Sequence, residues 1–215
     1  MRDSDSGLKV AQYLIETQAV RLSPDEPFRW ASGWLSPVYC DNRRILSFPV
    51  VRNQVLEGLV SAVEQHFAAT EAIAAVATAG LPMGALLADR LGLPFCYVRA
   101  KPKEHGLGNR IEGIIRPERQ VLVVEDLIST GGSSLDAVEA LREAGAQVLG
   151  LLSLFNYGFP VSEEKFKKAG LHSHSLANLD DLILVLKEQT KWEQKKLELL
   201  ERWRLKPESW KPDSN

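Results

Sequence analysis

Two adjacent carboxylates followed by a turn rich in glycine and hydroxyl residues form the most distinctive chemical pattern in the sequence. Residues 121–124 are continuously hydrophobic, as in a buried strand, and Glu125 and Asp126 follow directly. Residues 127–132 then lead into a helical pattern that begins at about Ser133. Glycines let the backbone approach a ligand, and the N–H groups at a helix N-terminus favour a phosphate dianion. Carboxylates instead suit sugar hydroxyls, or a metal held near them, so the stretch predicts a nucleotide or sugar-phosphate site.

Two better-known phosphate motifs do not fit this sequence. The P-loop pattern G-x-x-x-x-G-K-[ST] is absent, and Gly106 and Gly108 lack the third glycine of the dinucleotide fingerprint, since Ile111 stands there. A tight strand-to-helix connection without any ligand is the alternative interpretation of residues 121–134. The combination of strand, acidic pair, hydroxyl–glycine turn and helix favours the binding site over that alternative.

A second candidate segment is basic and contains glycines. Five cationic or titratable side chains lie close together there: Arg99, Lys101, Lys103, His105 and Arg110. Taken alone, such a run is typical of a solvated surface. Beside a phosphate-binding turn it predicts a mobile cationic lid that closes over a pyrophosphate and excludes water.

The elements that must position these residues alternate along the chain. Short apolar runs predict strands at 72–77, 95–98, 121–124 and 148–155, and helical patterns lie at 8–17, 49–67, 82–91 and 133–144. Continuous apolar strands that alternate with helices indicate a mostly parallel sheet covered on both faces. Ligands of such sheets bind beyond the carboxyl ends of the strands.

Three segments are expected within one structural unit. Residues 1–48 form an amino-terminal helix and an ordered hood, residues 49–178 the α/β core, and residues 179–215 an extension of surface helices. The charged composition of the extension, with leucines at helical spacing, indicates surface helices.

The overall composition, net charge and cysteine count exclude several classes of protein. Apolar residues make up 45% of the 215 residues and the net charge is −2, so no basic excess points to nucleic acid. No apolar run is long enough to span a membrane, and the polar start does not resemble a signal peptide. Two cysteines, Cys40 and Cys96, favour a reducing cytoplasm over a disulfide framework. His172 and His174 lack acidic or cysteine companions, so no metal site is expected there.

The motifs resemble those of a known family. Residues 121–134 resemble the phosphoribosyl pyrophosphate (PRPP) motif of type I phosphoribosyltransferases. Residues 97–113 resemble the mobile catalytic loop of orotate phosphoribosyltransferases, and residues 28–43 resemble their hood. With residues 78–80, the similarity runs from about residue 10 to about residue 156. It implies the type I phosphoribosyltransferase fold, an α/β fold with a twisted, mostly parallel sheet flanked by helices, and a small hood.

The resemblance also implies roles for individual residues. Catalysis is assigned to Lys103, His105 and Asp126. PRPP binding is assigned to Arg99, Lys103, His105, Glu125, Asp126, Leu127, Ile128, Ser129, Thr130, Gly131, Gly132 and Ser133, and orotate binding to Ser129, Tyr39 and Cys40. Mg²⁺ is expected to be held mainly through PRPP and water, without direct protein ligands. Ala31 and Leu35 stand in the hood where family members commonly carry a lysine.

The activity implied by the resemblance is transfer of a phosphoribosyl group from PRPP to orotate, which yields orotidine 5′-monophosphate for pyrimidine synthesis. In this family the lid of one subunit completes the site of its neighbour, which implies a homodimer. Two alternatives remain at this point: a type I phosphoribosyltransferase for another base, and a non-catalytic PRPP-sensing regulator on the same fold.

Overall fold

The chain divides into two compact units. In the computed structural model the described residues are 4–23, 26–30, 33–101, 110–188 and 194–212. One unit combines Met1–Pro49 with Ala177–Asn215, and the other is Val50–Leu176.

The helices and strands follow one another in chain order. The described elements are α1 (Ser4–Glu16), β1 (Val20–Leu22), β2 (Phe28–Arg29), β3 (Leu35–Ser36), β4 (Val38–Cys40), a 3₁₀ helix (Asn42–Ser47), α2 (Pro49–His66), β5 (Ala72–Val76), α3 (Leu81–Leu91), β6 (Phe95–Val98), β7 (Ile111–Glu112), β8 (Gln120–Ile128), α4 (Gly132–Glu143), β9 (Gln147–Asn156), α5 (Pro160–Lys168), β10 (Ser173–Asn178), α6 (Leu179–Glu188) and α7 (Gln194–Leu205).

Six strands of the described residues form the main sheet in the order β10-β9-β8-β5-β6-β7. The pairs β5–β6, β5–β8 and β8–β9 are parallel, whereas β7 runs antiparallel to β6. This confirms the predicted α/β fold with a mostly parallel sheet. Strand β8 is longer than predicted and includes the acidic pair, because β9 continues to pair with it as far as Ile128.

Both faces of the central strands are covered, which explains their continuous apolar sequence. Every residue of β5 is buried. Ala74 belongs to a core cluster that includes Val138 and Leu141 of α4. On the opposite face, α3 approaches so closely that a Cβ at Gly84 would lie 2.8 Å from the Cβ of Ala75. Glycine therefore permits the close packing of α3 on β5.

The other unit contains the hood and the carboxyl-terminal helices. Strands β1 and β4 pair antiparallel, and so do β2 and β3. The tail was expected to form surface helices with leucines at helical spacing, and it contains the helices α6 and α7. Leucines at helical spacing give α6 a buried face, and α7 buries Leu197, Leu200 and Trp203. Charged residues such as Lys187, Glu198 and Glu201 are exposed on the other side of these helices, as in amphipathic surface helices.

Two further elements, α5 and β10, were not predicted from the sequence. Helix α5 is short and carries several lysines, so its apolar pattern is weak, and β10 is rich in polar residues. Among the described residues, no helix has the length and apolar character needed to cross a membrane.

Candidate active site

The predicted site segments leave the sheet at one edge. Val76 pairs with Val98 in parallel register, so Arg99 follows β6 beside the end of β5. Ala75 pairs with Val124, which places the acidic pair next to the residues that follow β5. The carboxyl ends of these neighbouring parallel strands therefore bring the three segments together, where ligands of such sheets bind.

The turn after β5 lies against the backbone of β8. A Cβ at Gly80 would lie 2.8 Å from the carbonyl oxygens of both Val76 and Val124, and 3.3 Å from the Cα of Glu125. Only glycine fits at this position without displacing the strands. The peptide bond between Ala77 and Thr78 is cis. This turn therefore forms one wall beside the acidic pair.

Glu125 points under the first turn of α4. Only 6% of it is exposed, and its carboxylate accepts hydrogen bonds from the Asp126 backbone N–H at 3.1 Å, the Ser133 hydroxyl at 3.3 Å and the Ser134 hydroxyl at 3.4 Å. Burial, and then the neighbouring Asp126 carboxylate, raise the pKa of Glu125 well above its ordinary value. Asp126 is half-buried. The acidic pair therefore has one buried carboxyl group, that of Glu125, and one that solvent can reach, that of Asp126.

Ser134 was missed as a site residue. It is buried and lies one position after the predicted phosphate ligand Ser133. The sequence did contain a signal for this residue. Ser134 lies in the first turn of a helix that follows a strand ending in carboxylates, where a hydroxyl can donate to a carboxylate.

The turn that precedes α4 is open to an anion. Gly131 has a φ of +74° and occupies the cap position of α4, which has no side-chain cap. A Cβ at Gly132 would meet nothing within 4 Å. Among the described residues, no protein oxygen accepts a hydrogen bond from the N–H of Thr130, Gly131 or Gly132. The first N–H groups of a helix have no intrahelical partner, and here they remain available to a ligand.

The remaining predicted residues of this stretch differ in exposure. Ile128 is buried in the core cluster, so only its backbone can face a ligand. Leu127, Ser129 and Thr130 are half-buried. The sequence-predicted phosphate residues are therefore contiguous around one open turn.

Hydrogen bonds join Arg99 and Arg110, which lie at the two ends of the basic segment (residues 99–110). The Arg99 N–H donates to the Arg110 carbonyl at 2.9 Å, and the Arg110 Nε donates to the Arg99 carbonyl at 3.1 Å. The Arg99 guanidinium lies 3.4 Å from a Glu112 carboxylate oxygen. Lys103 and His105 lie outside the described residues. Arg99 and Arg110 thus form the base of the segment, next to the carboxyl end of β5.

The predicted orotate residues of the hood lie on β4. The Cys40 Sγ donates to the Asn42 amide oxygen at 2.9 Å, and Cys40 is buried. The Tyr39 ring is half-buried, lies 5.3 Å from the Phe28 ring between centroids, and is faced by the Arg21 guanidinium at 5.7 Å. The hood therefore holds Tyr39 among aromatic and cationic neighbours.

The described residues contain no cluster of side chains suited to binding a metal ion. Within residues 4–23, 26–30, 33–101, 110–188 and 194–212, no three His, Cys, Asp or Glu side chains gather as a metal-binding group. The oxygens of Glu125 are engaged by protein donors. Burial raises the pKa of the Cys96 thiol to about 12, which disfavours a metal-binding thiolate. Around the turn before α4, the described residues offer unpaired backbone N–H groups and the carboxyl groups of Glu125 and Asp126 rather than a cage for a cation.

Comparison with known proteins gives a consistent result. The phosphoribosyl transferase domain family matches residues 54–175. An orotate phosphoribosyltransferase of Cytophaga hutchinsonii is 53% identical over 203 residues, which cover 94% of this chain and 97% of that protein. The orotate phosphoribosyltransferase of Bacillus subtilis is 52% identical over 200 residues, which cover 93% of each chain.

A solved structure agrees in fold as well as in sequence. The crystal structure of orotate phosphoribosyltransferase from Aeropyrum pernix superposes with a TM-score of 0.72 at 32% identity, covering 84% of this chain and 99% of that one. Because the similarity extends over nearly the full chain at about 50% identity, this chain belongs to the orotate phosphoribosyltransferase family.

Proposed function

We propose how the residues of this chain carry out the reaction of its family. The chain is an orotate phosphoribosyltransferase, a pentosyltransferase that converts orotate and PRPP to orotidine 5′-monophosphate and pyrophosphate in pyrimidine biosynthesis. The observation that supports the assignment of roles is the open turn before α4, whose N–H groups find no acceptor among the described residues.

This turn binds the 5′-phosphate of PRPP. The N–H groups of Thr130, Gly131 and Gly132 donate to the phosphate oxygens, and the α4 dipole adds a favourable field. The hydroxyls of Ser129, Thr130 and Ser133 supply further donors. In this structure the Ser133 hydroxyl donates to Glu125. A rotation about its χ1 bond redirects that hydroxyl to an arriving phosphate.

The acidic pair binds the ribose. Asp126, the outer carboxyl group, accepts hydrogen bonds from the ribose hydroxyls. It also stabilises the positive charge that develops on the sugar as pyrophosphate leaves. Glu125 contributes from the buried side, where its carboxyl group orders the first turn of α4 through Ser133 and Ser134.

The basic segment binds the leaving group. Pyrophosphate binding is assigned to Arg99, Lys103 and His105, whose donors offset the negative charge that grows on the leaving group in the transition state. Mg²⁺ would be held mainly through PRPP and water, without direct protein ligands. When bound, it neutralises part of the pyrophosphate charge.

Orotate binding is assigned to Ser129, Tyr39 and Cys40. Tyr39 and Cys40 lie on β4, with backbone groups that can read the edge of the orotate ring. Ala31 and Leu35 stand where family members commonly carry a lysine in the hood, so one cation facing the substrates is missing or is supplied from elsewhere.

The protein acts as a cytoplasmic homodimer in which the basic segment of one subunit completes the site of its partner. The assignment to a reducing compartment rests on the cysteine content, because two cysteines far apart in sequence do not make a disulfide framework.

An assay of PRPP-dependent orotate consumption, followed by ultraviolet absorbance, tests this function. The wild-type protein should consume orotate and release an equivalent amount of pyrophosphate. Activity on a purine base with none on orotate would instead support a phosphoribosyltransferase for another base. PRPP binding without any transfer would support the sensing regulator.

Asp126→Asn tests the ribose role within the same assay. The amide keeps the shape of the side chain but removes its charge, so turnover should fall about 100-fold, the size of one electrostatic contact to the transition state. Glu139→Gln is the matched control, because Glu139 is exposed on α4. Normal turnover of Asp126→Asn would contradict the assignment.

A further inference from the structure

Helix α5 lies directly behind the open phosphate turn. A Cβ at Gly131 would lie 2.9 Å from two atoms of the Phe166 ring and 3.3 Å from the Cβ of Ser162. The Lys165 ammonium donates a hydrogen bond to the Thr130 carbonyl at 3.1 Å. Helix α5 lies some 30 residues after the turn in sequence, and it was not predicted to take part in the site.

The direction of the Thr130 carbonyl fixes the direction of the next N–H. The peptide bond between Thr130 and Gly131 is trans, and in a trans peptide the C=O and the N–H point in opposite directions. Because the Thr130 carbonyl points to Lys165, the Gly131 N–H points away from α5. No described protein group accepts a hydrogen bond from that N–H. The lysine thus aims a backbone donor at the open side of the turn.

Lys165 also brings a positive charge to the rear of the turn. Its side chain is half-buried, whereas Lys167 and Lys168 on the same helix are exposed. A cation behind the turn polarises the peptide group that it contacts, which makes the N–H on the other side a stronger donor to an anion. The contact therefore favours a bound phosphate through both geometry and charge.

We propose that Lys165 is a positioning residue for the 5′-phosphate of PRPP and of the product nucleotide. It holds the Thr130–Gly131 peptide with its N–H toward the phosphate, although it lies outside the motif of residues 121–134. This proposal rests on the phosphate-binding role of the turn given under Proposed function.

Lys165→Met tests the proposal, because methionine keeps an unbranched aliphatic chain but removes both the donor and the charge. The Michaelis constant for PRPP should rise about tenfold, the loss expected for one charge-assisted hydrogen bond. Calorimetric titration with ribose 5-phosphate should show a similar loss of affinity. The affinity for inorganic pyrophosphate and the Michaelis constant for orotate should stay within about twofold of wild type.

Two further variants complete the experiment. Lys165→Arg keeps a donor and a charge, so it should restore most of the ribose 5-phosphate affinity. Lys167→Met removes the same charge from an exposed position of the same helix, and it should bind ribose 5-phosphate like wild type.

Unchanged ribose 5-phosphate affinity in Lys165→Met would overturn the proposal. So would an equal loss for pyrophosphate, orotate and ribose 5-phosphate, which would indicate general damage to the fold. A wild-type protein that binds ribose 5-phosphate but consumes no orotate would refute the proposed enzymatic function separately. The Lys165 proposal would then be decided by ribose 5-phosphate binding alone.

Discussion

Replacing Gly131 with alanine should destabilise the fold and weaken binding at the proposed phosphate site. Gly131 has a φ of +74°, a left-handed conformation that costs alanine about 1–2 kcal/mol. The new methyl group would also lie 2.9 Å from the Phe166 ring, which is only 3% exposed and has little room to move. Such overpacking typically costs about 1–3 kcal/mol. The two contributions add to a loss of about 2–5 kcal/mol in the free energy of unfolding.

Any relaxation of this strain has to move the turn. A turn displaced from Phe166 no longer presents the Thr130–Gly131 peptide in the same direction, so part of the loss appears as weaker PRPP binding. We expect the Michaelis constant for PRPP to rise at least about tenfold, the equivalent of one lost charge-assisted hydrogen bond. Urea unfolding measures the stability, and initial rates at varied PRPP measure the binding effect.

Gly145→Ala is the matched control. Gly145 also has a positive φ, +85°, but it follows α4, and its added Cβ would meet only Pro117 at 3.4 Å. This variant carries the backbone strain without the contact behind the turn, so it should lose stability and keep the wild-type Michaelis constant for PRPP. If Gly131→Ala matched wild type in both measurements, or matched Gly145→Ala in its kinetics, the reasoning about the turn would be refuted.

Two further predictions concern Glu125 and Trp203. Because burial raises the pKa of Glu125, its contribution to stability is fully present below its unfolded pKa and is lost as the pH rises through its folded pKa. Glu125→Gln cannot ionise, so its melting temperature should rise relative to wild type as the pH increases above the unfolded pKa of glutamate, and a pH-independent difference would contradict the raised pKa. Trp203 is fully buried and its indole N–H donates to the Leu35 carbonyl at 3.1 Å. Trp203→Phe should therefore lower the free energy of unfolding by about 2–4 kcal/mol in urea, and a loss under about 0.5 kcal/mol would show that this contact is unimportant.

Much of the core could be predicted because the residue patterns that indicate its strands and turns lie within short stretches of sequence. The apolar run at residues 72–77 and the strand at 95–98 lie within one residue of β5 and β6. The glycines after the acidic pair were expected to adopt a positive φ, and Gly131 does so, whereas phosphate binding by this turn stays a prediction. These features depend on residue types at short spacing, which the sequence displays directly.

Other features depend on partners that sequence spacing does not reveal. Strand β8 extends through the acidic pair because β9 continues beside it. The leucine spacing of α6 predicted an amphipathic helix, but it does not reveal which element covers the buried leucines, because that depends on tertiary packing. The direction of Glu125 toward α4, and its raised pKa, likewise follow from packing rather than from composition.

The sequence alone determined the alternation of strands and helices and the chemical character of the turn after Asp126, because both depend on residues that are close together in sequence. Only the tertiary structure decided that Lys165 stands behind that turn and that Trp203 bonds to Leu35, 168 residues away. The physical reason is that such contacts are set by how whole elements pack, and packing joins residues whose separation along the chain carries no information about their distance in space.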